Sequence, residues 1–182
     1  MAKYTIDHLH SNIQFKVKHL MISTVTGDFK DYSVNVVADN PDFTDANISF
    51  EALVASIATG NEQRDGHLKS DDFFNAEKYP TIHFVSTSVS RDGNDITIQG
   101  NLTIRETTKA ITLTGVYEGT MVDFYGNTKV GFEIEGKIKR KEFGLQWDAV
   151  TEAGGVVVSD DVKLVLQVQL QELKEVAAEV DA

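Results

Sequence analysis

The chain has 182 residues and a formal net charge of −11, from 28 acidic and 17 basic side chains. That balance repels nucleic acid and anionic membrane surfaces, because binding phosphates needs a basic footprint. There is no cysteine, which excludes disulfides, thiolate metal sites and cysteine nucleophiles; a hydrophobic share of 41% and a charged share of 25% are those of one globular domain able to bury a full core.

The opening "MAKYTIDHLHSNIQF" enters a strand-like pattern at once, with no apolar run of signal-peptide length and none anywhere that could span a bilayer, so the expected location is cytoplasmic. Ile13, Phe15 and Val17 alternate with Gln14, Lys16 and Lys18, which predicts a strand with its apolar residues inward and the two lysines outward. His19 falls on the same inner face, with Met21 beyond it. Tyr32, Val34 and Val36 repeat the alternation, as do Ile48, Phe50 and Leu53–Val54.

Residues 59–80, "TGNEQRDGHLKSDDFFNAEKYP", break the pattern. They read as helical, with Thr59 or Asn61 capping a first helix, Ser70 capping a second and Pro80 closing the excursion. Alternation resumes around Phe84 and runs through Ile96, Ile98, Leu102 and Ile104. It continues in Ile111, Leu113 and Tyr117, in Val130, Phe132, Ile134 and Ile138, and in Val162 through Leu170, with turn signals at 91–95, 105–109 and 125–128. In 142–148, Phe143, Leu145 and Trp147 share a face. The tail is acidic and helix-prone, giving one domain over 1–171 and a C-terminal tail over 172–182.

About eight strands joined by short links make an antiparallel, mostly meandering sheet. Gly100, Gly115 and Gly136 inside long strands ease sharp coiling and favour a closed barrel over a sandwich. The fold class is therefore all-β, an eight-stranded antiparallel barrel with a short helical insertion. Its inner face is expected to include Ile13, Phe15, Val17, Phe84, Leu102, Phe132 and Trp147.

Candidate chemistry is sparse. His19, on an inner face, is either a core histidine satisfied by a carbonyl or hydroxyl, or a donor to a polar ligand head group. Arg64, Asp65 and His67 form a local network in which Asp65 pairs with Arg64 or caps an orphan N–H, or Arg64 offers its planar fork to a phosphate. Phe73 and Phe74 cannot both face inward on one helical turn, so one anchors the insertion and the other lines the opening. His8 and His10 sit two apart on a strand face without a third metal ligand, and Asp7 and Asp148 form an acid/base pair only if the fold joins them. No G-x-S-x-G or H-x-x-x-H pattern occurs, and no catalytic residue, metal or cofactor is assigned.

Three motifs then occur in order: "YTIDHLHSNIQFKVKHLMISTVTGDF", "SIATGNEQRDGHLKSDDFFNAEKYPTIHF" and "GNLTIRETTKAITL". They resemble the YceI-like family in its Asp, His-Ser and Val-Lys-His-Leu sequence, its Arg-Asp-x-His-Leu with a double Phe and Tyr-Pro, and its Gly-x-Leu-Thr-Ile stretch with Thr-Lys. The resemblance implies a lipocalin-like barrel whose apolar interior binds a polyisoprenoid lipid or prenylated quinone, for carriage, storage or protection under stress. For such a ligand the residue chemistry makes His19, Arg64, His67, Phe73 and Phe74 the candidate contacts at the mouth, and the resemblance is compatible with a homodimer without requiring one. Two other readings stay open: a barrel isomerase or cyclase using His19 as general acid or base, and a barrel filled by its own side chains that serves as an interaction module.

Overall fold

The computed structural model describes residues 1–149 and 157–174; the region 150–156 and most of the acidic tail, 175–182, lie outside the described residues. Alternating sequence becomes strand almost everywhere: β1 (Ala2–Ile6), β2 (Asn12–His19), β3 (Ser23–Phe29), β4 (Tyr32–Ala38), β5 (Asn47–Leu53) and β6 (Ile57–Ala58) precede one helix, α1 (Glu62–Lys69). After it come β7 (Thr81–Asp92), β8 (Asp95–Ile104), β9 (Thr107–Val122), β10 (Thr128–Lys139) and β11 (Val158–Glu172). All pairings are antiparallel, and eight strands close a ring in the order β1-β4-β5-β7-β8-β9-β10-β11, with β11 returning to β1. The expected eight-stranded barrel is thus present.

The three further strands continue ring strands past an interruption. β11 pairs with β2 from Val162↔Val17 to Gln167↔Asn12, and with β1 from Ile6↔Leu170 to Tyr4↔Glu172. Between β1 and β2 lies a 3-10 turn, His8–His10, capped by Asp7. The break is bridged by β11: Asp7 N–H donates to the Gln169 carbonyl at 2.8 Å, and Gln169 N–H donates to the buried Ser11 hydroxyl at 3.0 Å. His8 and His10 are therefore not neighbours on a strand face. His8 lies against the Tyr32 ring at 4.8 Å, while His10 Nδ1 is 2.9 Å from the Asp7 carboxylate. The sequence reading missed this because a local Asp cap competes with strand pairing wherever a carboxylate precedes a free N–H.

Interior glycines prove to be space for neighbours. A Cβ at Gly100 would overlap the Phe84 ring and one at Gly27 the Phe15 ring, so two inward phenylalanines lie across glycines on adjacent strands. Such pairing lets a large ring fold down against the sheet and leaves the axis of the barrel open.

The two ends differ. One carries only short connections and is closed by Phe43, which is buried, has a φ of 64° and packs against Tyr4 at 5.1 Å and Phe132 at 5.4 Å. Asp45 holds that turn by accepting from the N–H groups of Asp39 and Asn40 at 2.9 and 3.1 Å. The other end carries α1 and residues 70–80, the β8–β9 turn, and the segment following β10. Phe143 and Leu145 are buried there, but in a 3-10 turn (Arg140–Phe143) and the coil after it, not in the strand their alternation suggested. Gly144, at a φ of 85°, ends the turn in a left-handed conformation that glycine adopts without penalty.

Candidate functional site

Inward alternation on eight strands encloses a cavity of about 370 Å³ that opens at the helix-bearing end. Its wall is apolar along its length. Phe15, Val17, Leu164, Leu166 and Val168 point inward yet count as only half-buried, because they face the cavity and not other side chains. Among the described lining residues the charged and amide or imidazole side chains are Gln14, Lys18, His19, Arg64, His67 and Arg140, and none is acidic. All but Gln14 sit at the open end.

The mouth is built from local chemistry. Asn61 caps α1 by accepting from the Arg64 N–H at 2.9 Å. Arg64 does not pair with Asp65. Both engage Thr59: Arg64 Nε donates to the Thr59 hydroxyl at 2.7 Å and Nη2 to its carbonyl at 2.6 Å, while Asp65 accepts from the Thr59 N–H at 2.9 Å. This threonine lies between the two opposite charges and replaces a direct ion pair. His67 places Nε2 2.8 Å from Asp72 and packs its ring edge-on to Phe73 at 5.0 Å and Trp147 at 4.9 Å.

Ser70 proves to be the C-cap of α1, its hydroxyl donating to the His67 carbonyl, and not the start of a second helix. Residues 71–74 form turns, with Asn75 at a φ of 50°. Because this run is not helical, Phe73 and Phe74 both reach the cavity, against expectation. Phe73 is buried against Trp147 at 5.5 Å, and Phe74 meets Phe29 edge-on at 6.1 Å, with Phe29 in turn 5.8 Å from Phe15.

Two arginines that the sequence reading passed over hold this arrangement. Arg105, in the β8–β9 turn, donates through Nη1 to the Asp71 and Phe73 carbonyls at 2.9 and 2.7 Å and through Nη2 to the Asp71 carboxylate at 3.1 Å. Arg140 is 2% exposed. Among the described residues its four hydrogen bonds all run to main-chain carbonyls: Ser159 at 2.9 Å, Leu145 and Trp147 at 2.7 Å, and Val158 at 3.2 Å. Burial lowers its pKa below the ordinary arginine value, while the charges of Asp148 and Asp160 act in the opposite sense. A signal for Arg140 existed: it is the next inward position after Ile134, Gly136 and Ile138.

Each residue expected at the site lines this one cavity: Ile13, Phe15, Val17 and His19 from β2, Arg64 and His67 from α1, and Phe73 and Phe74 from the turns after it. So do Phe84, Leu102, Phe132 and Trp147. Lys16 is not in the lining, whereas Lys18, expected outside, is exposed and also borders the mouth. His19 has no side-chain hydrogen bond among the described residues, so the satisfied-core reading finds no partner there. Asp7 and Asp148 are not an acid/base pair: Asp7 binds Lys129 at 2.8 Å and Asp148 binds Lys141 at 2.6 Å.

The comparisons with known proteins agree with this architecture. Protein YceI of Escherichia coli is 40% identical over 151 residues, covering 81% of this chain and 78% of that one. The Campylobacter jejuni YCEI protein, a solved structure, superposes with a TM-score of 0.75 at 34% identity, covering 87% of this chain and 91% of its own. A polyisoprenoid binding domain from Saccharophagus degradans shares the fold at a TM-score of 0.67 and 15% identity, over 93% of this chain and 98% of that domain. The model of the YceI-like domain matches residues 4–170, and the chain belongs to the YceI-like family.

Proposed function

We propose that the barrel binds a long-chain polyisoprenoid, as a prenyl lipid or prenylated quinone, with its tail in the apolar cavity and its head among the cationic and imidazole groups at the mouth. The observation that carries this reading is the lining itself: an apolar cavity whose polar groups, Gln14 apart, gather at one end and include no carboxylate among the described residues. An apolar tail gains about 0.8 kcal/mol per methylene-sized unit moved out of water, so a long chain needs few polar contacts for tight binding. The polar groups at the entrance then orient the head and set specificity. That a Saccharophagus degradans domain of the same fold is a polyisoprenoid binding domain supports the choice of ligand class. Carriage, storage and protection under stress are all uses of such binding, with no bond made or broken.

The test is organic extraction of the purified protein followed by mass spectrometry, with a Phe15→Asp variant alongside. A stoichiometric prenyl lipid is expected from the parent and its loss from the variant, because the new carboxylate would stand in an apolar wall without a partner. Parent protein that carries no lipid and takes up no polyprenyl probe would overturn the reading.

A further inference from the structure

The β2–β3 hairpin turns at the open end through Leu20, Met21 and Ile22, with the Ile22 N–H donating to the His19 carbonyl at 3.2 Å. Leu20 and Met21 have φ values of 53° and 60°. Two successive positive φ angles are the geometry that Asn-Gly satisfies and that larger side chains adopt only under strain. The same three side chains are 39%, 63% and 85% exposed, so strain is accepted to hold an unbroken apolar run in water. An exposed run of this kind contributes nothing to folding and marks a contact surface.

Charge beside the tip identifies the partner. Met21 borders a shallow groove on the outer wall that is also lined by Lys16, Lys18, Lys137 and Lys163. Lys16 on β2 faces Lys163 on β11, which faces Lys137 on β10, so three ammonium groups lie in one cross-strand row. Like charges placed directly opposite one another destabilise a sheet. Among the described residues two carboxylates line the groove: Asp161 is shared by Lys137 at 3.0 Å and Lys139 at 3.1 Å, and Glu135 lies 3.8 Å from Lys163. In a chain of net charge −11, this concentration of lysines is a local reversal of sign. A second exposed apolar group, Met121, Val122, Phe124 and Tyr125, sits at the closed end, where Lys129 is paired opposite Met121 but is held by Asp7 at 2.8 Å.

We propose that the open end docks on an anionic lipid surface, with Leu20, Met21 and Ile22 entering the head-group layer and the Lys16–Lys163–Lys137 row facing lipid phosphates. Apolar side chains flanked by lysines are the chemistry that an anionic bilayer surface selects, and neither component alone holds a protein there. Lys18 borders both the groove and the cavity mouth, so docking would set the entrance against the membrane. The net negative charge of the chain, −11 in all, disfavours approach through its other faces taken together. Docking rests on the tip and the lysines and not on the identity of the cargo, and it is tested by attachment to vesicles, independently of lipid uptake.

The experiment is co-sedimentation of the full chain with vesicles of phosphatidylcholine alone or mixed equally with phosphatidylglycerol, at low and high salt. Binding is expected only to the mixed vesicles, weakening as salt rises and by about fivefold for each of Lys16→Gln and Lys163→Gln. The double variant Leu20→Asn with Met21→Gly is expected to melt at or above the parent temperature, because the turn is relieved, yet to bind at least about tenfold more weakly. Ile22→Ser, outside the strained pair, is expected to weaken binding at unchanged stability. Absence of binding to mixed vesicles, equal binding to both compositions, or unchanged binding in Ile22→Ser would overturn the proposal. So would a tip-dependent self-association seen without vesicles, which would assign the surface to a second copy of the chain.

Discussion

At Asp7 a single carboxylate gathers Lys129 at 2.8 Å, His10 at 2.9 Å and the Leu9 N–H at 3.1 Å. Burial alone would raise its pKa, but the hydrogen bonds to Lys129 and His10 outweigh burial and bring it down to about 2. A folded-state pKa below the unfolded one means that this stabilisation is complete above the ordinary carboxylate range and is lost as pH falls from about 5 through about 2. Replacing Lys129 by Met should therefore lower stability at neutral pH by about 1–3 kcal/mol and flatten the decline between those limits, measured by urea unfolding at a series of pH values. A second prediction concerns Phe15, whose ring lies over Gly27. Gly27→Ala should push that ring off the wall, costing about 1–3 kcal/mol and weakening lipid binding, with thermal melting and probe titration as the readouts. Inward residues such as Phe15, Phe84 and Phe132 were legible because a period of two admits only one inner face. The partners of Asp7 were not, since Lys129 lies on a strand more than a hundred residues away and no local pattern links them.

The insertion between β6 and β7 shows where element-level reading succeeds and stops. Asn61 as a cap, α1 and the terminating Pro80 follow from local rules. Ser70 satisfied the same rules for a second helix, with acids following it, but in the fold Arg105 takes the Asp71 and Phe73 carbonyls and leaves that run as turns. A guanidinium delivered from the β8–β9 turn competes for groups that a helix would have used. Arg105 thus ties the cover to the barrel. Arg105→Ala should speed release of bound lipid severalfold while lowering the melting temperature little, because covering segments open at less free energy than the strands beneath them. Phe73→Ala combined with Phe74→Ala should do the same with a larger loss of stability, since Phe73 is buried under Trp147. If the double variant loses stability without faster release, residues 70–76 act as core and not as a cover.

For the whole molecule, the closed barrel was readable from strand number, short links and the small residues inside strands. Closure itself was not a local property. One strand, β11, borders β10 along its length and on its other side meets first β2 and then β1. The plug at Phe43 was also hidden, because "NPDFTDAN" has the composition of an ordinary turn; only its packing against Tyr4 and Phe132 shows why an aromatic sits there at a φ of 64°. Amide exchange should separate these levels, with β9, β10 and the central part of β11 most protected, α1 and 70–76 less, and the 20–22 tip least.

Because β11 is the last strand of the ring and pairs with the N-terminal strands, the barrel cannot close until β11 has been made. Residues that face each other across that seam, such as Ser11 and Gln169, are 158 positions apart, so β1 and β2 leave the ribosome long before their partner exists. Until β11 arrives, the nascent chain presents an open apolar trough with unpaired edges on β10 and on β1–β2, the state in which a β protein is most exposed to wrong partners. A chain stopped before Val158 should therefore be captured by holdases, whereas emergence of the fifteen residues Val158–Glu172 converts the trough into a sealed wall.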